Sequence, residues 1–463
     1  RYTDRSRGTV RSLKIAIASG IGADFSSTNG STQMTEAKSA ARTINLHRVA
    51  ITGVGAVTSL APTASETWTK ILAGESGLKR IDLDPEQNPC LVRGDVDDST
   101  ITNRFLDSKT LRNTSRFSRM AVEAAGEALI DAGLLSDAGE ATSDLADGGT
   151  VIGTCVGGAH DDLLPAFHTY ETSGPGRVPP HLHVKFPLNL ASYTIQSTFG
   201  MQGPSNTINT ACATGSQAIG EAFQQVRFGN APFMVAGAVE SDSHPMFIAG
   251  FAVMKALATD SNDDPTKASR PFDASRAGFV LGEGAGMVVL EDWDRAVARG
   301  ATIYAELLGY ASSNDAYHPI APLPDGSGAA KAVTRALESA GVDPSAVGHV
   351  QAHAASTPAG DPAEANAIRL AFGDRAAEIP VTSIKGAIGH CMGAAGAIES
   401  VIAILSMKNQ VIPPTLNYTT PDEAIGLDIV HGEPRKADFA VSTKHSFGLG
   451  GQNACLVFGR VDS

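Results

Sequence analysis

Three short polar segments in otherwise apolar or glycine-rich surroundings carry side chains that could do covalent chemistry. The first is "NTACATGSQAIGEA", in which Cys212 follows a strand-like run and precedes apolar residues at helical spacing. This pattern predicts a strand-to-helix turn at Cys212. The unpaired N–H groups and the dipole of a helix N-terminus favour a thiolate, so we expect a lowered thiol pKa and a nucleophile. By itself, the pattern also fits a small buried side chain.

The other two segments are "QAHAASTPAGD", with His353, and "SIKGAIGHCMGAAGA", with Lys385 and His390. Taken alone, His353 could be a core histidine with a satisfied hydrogen bond. Lys385 is harder to explain by packing, because Glu399 follows it inside the most apolar helix pattern of the chain, "AAGAIESVIAIL". A buried carboxylate is costly unless it is paired, so we expect Lys385 to be the partner of Glu399.

Together, these residue types fit one reaction better than its competitors. A thiolate takes acyl groups from thioesters, and two imidazoles that each donate an N–H can hold the enolate formed when a carboxylated thioester loses carbon dioxide. The residues therefore predict a decarboxylative carbon–carbon condensation. A papain-like hydrolase would need a cysteine and one histidine, but not the second histidine and its lysine. No metal site is expected, because His181 and His183 lie in a Pro-rich loop without an obvious third ligand.

Length and composition exclude several classes of protein. The chain has 463 residues, 42% of them hydrophobic, which is typical of a globular protein with a large core. No apolar run reaches the ~18 residues of a membrane span, so no membrane partner is expected. A net charge of −13 argues against nucleic-acid binding. The five cysteines are scattered and unpaired in spacing, which predicts free thiols in a reducing compartment, the cytoplasm.

The organisation of the chain changes near residue 47. Residues 1–46 begin with the basic stretch "RYTDRSRGTVRSLK" and predict a flexible extension outside the fold, with Met34 as a candidate start. If residues 1–33 are a targeting segment, an organelle replaces the cytoplasm as the location. The remainder alternates short strands, Gly-rich turns and Ala-rich helices, which predicts an α/β protein with buried parallel strands. Its two halves, 47–300 and 301–463, resemble each other, which would bring the Cys212 turn close to both histidine segments.

From about residue 47 onward, the chain resembles the β-ketoacyl-acyl-carrier-protein synthases, especially the synthase I/II branch and the related type II polyketide ketosynthases. The matching motifs occur in the family's order: "TACATGSQAIGEA", "ASRPFDASRAGFVLGEGAG", "SNDAYH", "AHAASTPAGDPAEANAI", "SIKGAIGHCMGAAGA", "VIPPTLNY" and "SFGLGGQNA". The resemblance implies a thiolase-like fold, a five-layered αβαβα arrangement of two similar halves, usually present as a homodimer.

The resemblance also implies roles for individual residues. Cys212 would be acylated, His353 and His390 would hold the malonyl thioester carbonyl during decarboxylation, and the backbone N–H groups of Cys212 and Leu449 would form the oxyanion hole. Lys385 would belong to the catalytic set and would support the site together with Glu399, and Leu449 and Phe447 would be further supporting residues. The substrate-binding residues that the resemblance implies are Thr357, Phe251 and Val156. No cofactor is implied beyond the phosphopantetheine that arrives on the carrier protein.

The chain departs from the family pattern in three places, the last of which spans two residues. Ala355 stands where the first threonine of the family's H-x-T-x-T run is expected, which leaves Thr357 to meet the pantetheine arm. Leu449 replaces the phenylalanine that gates the acyl pocket, so we expect a looser or shifted gate. Lys444 and His445 stand just before this loop, where the family usually has an asparagine.

The partner implied by the resemblance is an acidic acyl carrier protein. The segment "SKTLRNTSRFSR" places four cations at helical spacing, and a fifth is near the same entrance by family position: Lys109, Arg112, Arg116, Arg119 and Lys255. One basic helix face could steer an acidic partner despite the negative net charge. The same spacing also fits an ordinary solvated helix face.

Two other functions compete with a condensing enzyme that elongates a fatty acid or polyketide chain. One is a non-catalytic subunit, such as the chain-length partner of a polyketide ketosynthase. The other is a thioester decarboxylase that starts chains without elongating them. Both usually lack the cysteine nucleophile, so Cys212 favours the elongating enzyme.

Overall fold

The computed structural model describes residues 46–241 and 244–461. The predicted N-terminal extension, with Met34 and the candidate targeting segment 1–33, thus lies outside the described residues, apart from Leu46. Among the residues described, no helix combines the length and apolar character needed to cross a membrane.

The strands are numbered in chain order: β1 Val49–Thr58, β2 Lys79–Arg80, β3 Val92–Gly94, β4 Gly149–Gly153, β5 Ser205–Ile208, β6 Phe233–Glu240, β7 Leu281–Gly282, β8 Gly284–Asp292, β9 Ala305–Asn314, β10 Val347–Gln351, β11 Pro380–Thr382, β12 Val411–Ile412, β13 Asp428–Ile429, β14 Arg435–Lys436, β15 Val441–Gly448 and β16 Gln452–Gly459. The α-helices are numbered in the same way: α1 Ala64–Leu72, α2 Ser108–Arg112, α3 Arg116–Asp131, α4 Leu164–Ser173, α5 Leu190–Phe199, α6 Thr214–Arg227, α7 Pro245–Val253, α8 Trp293–Ala298, α9 Ser327–Ala340, α10 Gly360–Phe372, α11 Lys385–Ile388 and α12 Met392–Asn409.

The main sheet consists of two strand groups that repeat one topology. The first group runs β1-β8-β6-β4-β5 and the second runs β9-β16-β15-β10-β11-β13. In both groups the first two pairings are antiparallel and the following ones are parallel. The groups meet where β1 pairs with β9 at Ile51 and Ala305. They separate in sequence between β8, which ends at Asp292, and β9, which begins at Ala305. The division at residue 300 stays a prediction.

Five layers follow from the helix contacts. Helix α3, backed by α5, packs on β1, β6 and β8, while α9, backed by α10, packs on β9 and β16. Helices α6 and α12 lie between the strand groups, because they contact each other and strands of both. This is the αβαβα arrangement of two similar halves that the sequence predicts.

The central layer depends on two glycines. A Cβ on Gly215 of α6 would lie 2.4 Å from the backbone N of Ala397, and one on Gly396 of α12 would lie 2.7 Å from that of Ser216. Larger residues would therefore push the two helices apart. Helix α12 is buried on all sides over Met392–Met407, as expected of a helix that is apolar around its whole circumference.

The strand order also explains why distant segments meet. Strands β11, β10 and β15 are parallel neighbours, so their carboxyl ends lie at one edge of the sheet. Lys385, His353 and Leu449 follow the ends of these strands. Loops at such an edge are where α/β proteins place their binding sites.

Candidate active site

Cys212 lies in the turn between β5, which ends at Ile208, and α6, which begins at Thr214. The predicted strand-to-helix turn is therefore confirmed. The N–H of Thr210 donates to Oγ1 of Thr214 (2.8 Å), and Ala211 has a φ of 50°, a conformation that residues with a Cβ rarely adopt. Cys212 is 7% exposed, at the edge of a cavity.

The loop after β15 approaches this turn closely. A Cβ on Gly448 would lie 2.9 Å from the backbone N of Cys212, so only glycine allows the approach. The N–H groups of Leu449 and of Cys212 itself lie near enough to the thiol to favour its ionised form. Two backbone N–H groups thus lie beside the sulfur, where they are close to the oxygen of any acyl group carried on it.

The predicted lowering of the thiol pKa is wrong for the unacylated protein. Burial raises the pKa of Cys212 to about 11, against the opposing charge of Lys385 and the two N–H groups. Desolvation of the ionised form outweighs these favourable contributions, because the thiol is almost fully removed from water.

His353 and His390 form a neutral pair beside Cys212. Their ring centroids are 5.3 Å apart with the planes at 80°, and both residues line the same cavity as the cysteine. Burial, together with the positive charge of Lys385, holds the pKa of each histidine well below its usual value. The N–H of Met392 donates to Nδ1 of His390 (3.2 Å), so the single proton of this neutral ring is on Nε2. His390 can therefore donate a hydrogen bond to a substrate oxygen, but it is not a strong acid.

Lys385 forms an ion pair with Glu399, as predicted, and both side chains are only 1% exposed. Its ammonium also donates to the backbone oxygen of His353. A second cation, Lys444 on β15, lies with Nζ 2.8 Å from Oε2 of Glu399. Lys444 is a site residue that the sequence analysis missed, although a lysine inside an otherwise apolar and hydroxyl-rich strand indicates a buried partner.

Glu364 on α10 is a further site residue that the sequence analysis missed. Its carboxylate accepts hydrogen bonds from the N–H groups of His353 (2.8 Å) and Ala354 (2.6 Å). Glu364 is 2% exposed, and these hydrogen bonds, with the neighbouring His445, keep its pKa below the usual value despite burial. The carboxylate fixes the backbone of the turn that presents His353.

The cavity has a volume of about 370 Å³ and mostly apolar walls. Besides the catalytic candidates, it is lined by five residues from the sequence analysis: Phe251, Lys255, Thr357, Phe447 and Leu449. Ala355 lines it too, at the position where the family has a threonine. Val156 is not among its lining residues, and the N–H of Val156 instead donates to the buried Glu240 (3.1 Å). This geometry does not support the predicted part of Val156 in substrate binding.

The predicted basic face on one helix is wrong. Two helices, α2 and α3, share the segment and are separated by residues 113–115, so the helical spacing does not hold across it. Arg116 turns inward, with Nη2 2.7 Å from the buried Glu283 and Nε 2.7 Å from Asp98. Arg119 is half-buried, whereas Lys109 and Arg112 are exposed.

No group of three or more histidine, cysteine, aspartate or glutamate side chains within residues 46–241 and 244–461 is arranged to hold a metal ion. His181 and His183 accordingly have no third ligand in this part of the chain.

The fold and the site define a thiolase-like condensing enzyme. The family model "Beta-ketoacyl synthase, N-terminal domain" matches residues 46–296, and the model of the C-terminal domain matches residues 304–419. The chain therefore belongs to the β-ketoacyl synthase family. Its predicted fold and its class, a condensing acyltransferase, are confirmed by the same comparisons.

Among curated relatives, the chain is 41% identical to 3-oxoacyl-[acyl-carrier-protein] synthase 2 of Coxiella burnetii, over 89% of this chain and 99% of that protein. It is 40% identical to the enzyme of the same name from Synechocystis, over 89% of this chain and 97% of that protein. Among solved structures, a β-ketoacyl synthase from Burkholderia phymatum gives a TM-score of 0.82 at 34% identity, over 90% of this chain and all of that one. A type II polyketide ketosynthase in complex with its acyl-carrier protein gives a TM-score of 0.81 at 32% identity, over 90% of this chain and all of that one.

The raised thiol pKa leads to a testable pH dependence. Because the pKa of Cys212 is about 11, the thiolate fraction rises tenfold with each pH unit below that value. Alkylation of Cys212 by iodoacetamide in the unacylated protein should therefore accelerate ~10-fold per unit between about pH 7 and pH 10. The rate is measured by peptide mass spectrometry. A rate that levels off near pH 8 would show that the thiolate is already formed at neutral pH.

Proposed function

We propose that the protein is a 3-oxoacyl-[acyl-carrier-protein] synthase that elongates an acyl chain held on Cys212. One observation carries the proposal. Cys212, with two backbone N–H groups beside its sulfur, and two histidines kept neutral by burial all line a single apolar cavity. The donors at the sulfur fit the oxyanion of acyl transfer, and the histidines fit the enolate oxygen of decarboxylation.

The reaction proceeds in two stages. In the first, the sulfur of Cys212 attacks the carbonyl of an acyl thioester, the thiol proton leaves with the departing carrier thiol, and the N–H groups of Cys212 and Leu449 stabilise the tetrahedral oxyanion. In the second, the malonyl group loses carbon dioxide, and the electrons of the broken carbon–carbon bond form an enolate whose oxygen accepts hydrogen bonds from His353 and His390. The enolate carbon attacks the acyl carbonyl and releases the sulfur of Cys212 as a thiolate, which takes up a proton from water to restore the thiol.

The acyl chain and the pantetheine arm of the substrate occupy different parts of the cavity. The walls around Phe251 suit an acyl chain, whose burial contributes ~0.8 kcal/mol per methylene. The side-chain Oγ1 of Thr357 accepts a hydrogen bond from the N–H of Gly360 (3.0 Å). The hydroxyl hydrogen of Thr357 is therefore available to the carbonyl oxygen of a pantetheine amide. This arm arrives on the carrier protein, and no other cofactor is part of the proposal.

The partner that delivers the substrates is an acyl carrier protein. Lys255 lines the cavity and is exposed, so it is the cation best placed to meet an acidic carrier at the entrance. Lys109 and Arg112 remain exposed candidates, while Arg116 is excluded by its ion pairs.

A second copy of the chain is the other proposed partner. Strand β5 is the last strand of its group and is half-buried to exposed along its length. Apolar side chains that are at least half exposed occur in the helices and turns before and after it: Phe167, Tyr170, Val184, Tyr193 and Met246. A homodimer that pairs this edge would cover them. The predicted cytoplasmic location also stays a proposal; the five cysteines are free, which is compatible with it.

The proposed function is tested with purified protein, an acyl carrier protein loaded with acyl groups of stepped length, and the malonyl form of the same carrier. The expected product is a 3-oxoacyl group two carbons longer than the acyl substrate, with one carbon dioxide released per product. A non-elongating or chain-length-determining subunit would yield no elongated product. Comparing acyl lengths gives the chain-length preference of the enzyme.

The gate position gives a further expected result. Leu449 is half-buried at the cavity and is followed by Gly450 and Gly451, both with positive φ. A leucine covers an empty acyl pocket less completely than a phenylalanine, so malonyl groups should be decarboxylated without an acyl primer. We expect Leu449→Phe to lower unprimed carbon dioxide release several-fold and to leave condensation per acylated enzyme about equal. Equal unprimed release in the two proteins would show that Leu449 is not a weakened gate.

A further inference from the structure

Strand β15 carries Lys444 and His445 just before the gate loop, where the family usually has an asparagine. Neither residue is accessible to solvent, at 0% exposure each. Consecutive side chains of a strand point to opposite faces of the sheet. Lys444 therefore reaches Glu399 on α12 from one face, and His445 reaches Glu364 on α10 from the other.

On the first face, Lys444 completes a chain of charges that ends at His353. Its Nζ lies 2.8 Å from Oε2 of Glu399 and 3.0 Å from Oγ of Ser446. The other oxygen of Glu399 accepts from Lys385, which also donates to the backbone oxygen of His353. Apart from the ion pair with Lys444, Oε2 of Glu399 has no partner among the described residues. Without Lys444, the carboxylate would be held at one oxygen only.

On the second face, His445 lies against the carboxylate that holds the other side of the same turn. Its Nδ1 is 3.6 Å from Oε1 of Glu364, and its Nε2 is 3.1 Å from Oγ1 of Thr443. Oε1 of Glu364 also accepts from the N–H of His353. The backbone of His353 is thus fixed at its N–H by one carboxylate and at its C=O by a lysine, and β15 contacts the network on both sides.

The same strand also contacts the nucleophile. The hydroxyl of Ser446 lies 2.8 Å from that of Ser216 in the first turn of α6. Gly448 packs against the backbone of Cys212, as described above. One strand therefore connects the turn that presents His353 with the turn that presents Cys212.

We propose that Lys444 and His445 are positioning residues, which act on His353 through Glu399 and Glu364. This inference rests on the proposed function, because it assigns His353 to the malonyl half-reaction. Small displacements of a positioned group cost ~10²-fold in rate, so loss of one of these contacts should appear in decarboxylation. The acyl-transfer half-reaction uses the backbone N–H groups at Cys212 and should change little.

Lys444→Met tests the inference by separating the two half-reactions. We expect kcat for malonyl decarboxylation to fall ~10²-fold at nearly unchanged KM, and the rate of Cys212 self-acylation to stay within about threefold of native. Lys444→Arg should recover most of the loss because it keeps a cation at Glu399, whereas Lys444→Gln should not. His445→Leu, which removes the contact with Glu364, should act in the same direction. Ser442→Ala is the matched control, since it removes a buried polar group from the same face of β15 without touching Glu399.

A double-mutant cycle distinguishes positioning from a general loss of structure. In a His353→Ala background, Lys444→Met should reduce decarboxylation by less than about threefold, because its effect passes through His353. The inference would be overturned if Lys444→Met lowered decarboxylation by the same factor in the native and the His353→Ala backgrounds. It would also be overturned if Lys444→Met lowered self-acylation as much as decarboxylation. If Lys444→Met does not fold, the comparison of arginine with glutamine at this position decides in its place. Absence of carbon dioxide release by the native protein would instead reject the proposed function.

Discussion

Cys212→Ala should abolish the covalent acyl adduct and slow condensation by at least ~10⁴-fold, the scale expected when an enzyme loses its nucleophile. The reason is chemical, because alanine has no group that can form the thioester. The N–H groups of residues 212 and 449 remain, but they then have no acyl carbonyl to stabilise. Intact-protein mass after incubation with an acyl thioester measures the adduct directly.

Cys155→Ala provides the matched control for this substitution. Cys155 is a half-buried thiol beside the same turn, with Sγ 3.4 Å from the backbone oxygen of Ala211. Burial raises its pKa well above the usual value, and it does not line the cavity. We expect Cys155→Ala to retain the adduct. An adduct that persists in Cys212→Ala, or that disappears in Cys155→Ala, would show that Cys212 is not the nucleophile.

Local patterns were sufficient to predict much of the site. The strand-to-helix turn at Cys212 is encoded within a few residues, by a β-branched run followed by helical spacing. The partner of Glu399 was also predictable, because a carboxylate in a helix that is apolar all round requires a cation. In both cases the argument depends on the chemistry of the segment itself.

Contacts made through the sheet were not predictable in this way. Lys444 meets Glu399 only because β15 lies beside α12, and Glu364 reaches the His353 turn only because α10 packs behind it. The spacing of the basic residues was misleading for a related reason. It assumes one continuous helix, whereas a break before Arg116 redirects that side chain toward Glu283.

The direction of the pKa shift of Cys212 was likewise not predictable from the local sequence. A helix N-terminus lowers a thiol pKa, but the magnitude of desolvation depends on the groups that cover Cys212 from distant segments, such as Gly448. Their approach cannot be deduced from the fourteen residues around the cysteine. The net direction of the shift therefore required the assembled fold.

The histidines should separate the two stages of the reaction. His353→Ala and His390→Ala should each reduce condensation ~10²-fold or more, the usual cost of losing one donor to a developing oxyanion. Both rings are neutral at physiological pH because burial holds their pKa values well below the usual range, so each has one ring N–H to offer as a hydrogen-bond donor. The measurement is carbon dioxide release from the malonyl carrier by each variant.

Self-acylation in the same variants decides what the histidines do. The groups that oppose the rise in the pKa of Cys212 are Lys385 and the backbone N–H groups of Leu449 and Cys212. Acylation of His353→Ala and His390→Ala should therefore stay close to the native rate while decarboxylation falls. His431→Ala, at an exposed position that does not line the cavity, should leave both steps unchanged. Equal loss of the two steps in the site variants would mean that the histidines activate the thiol or stabilise the fold. The assignment of acyl transfer to the N–H groups and of decarboxylation to the imidazoles would then be wrong.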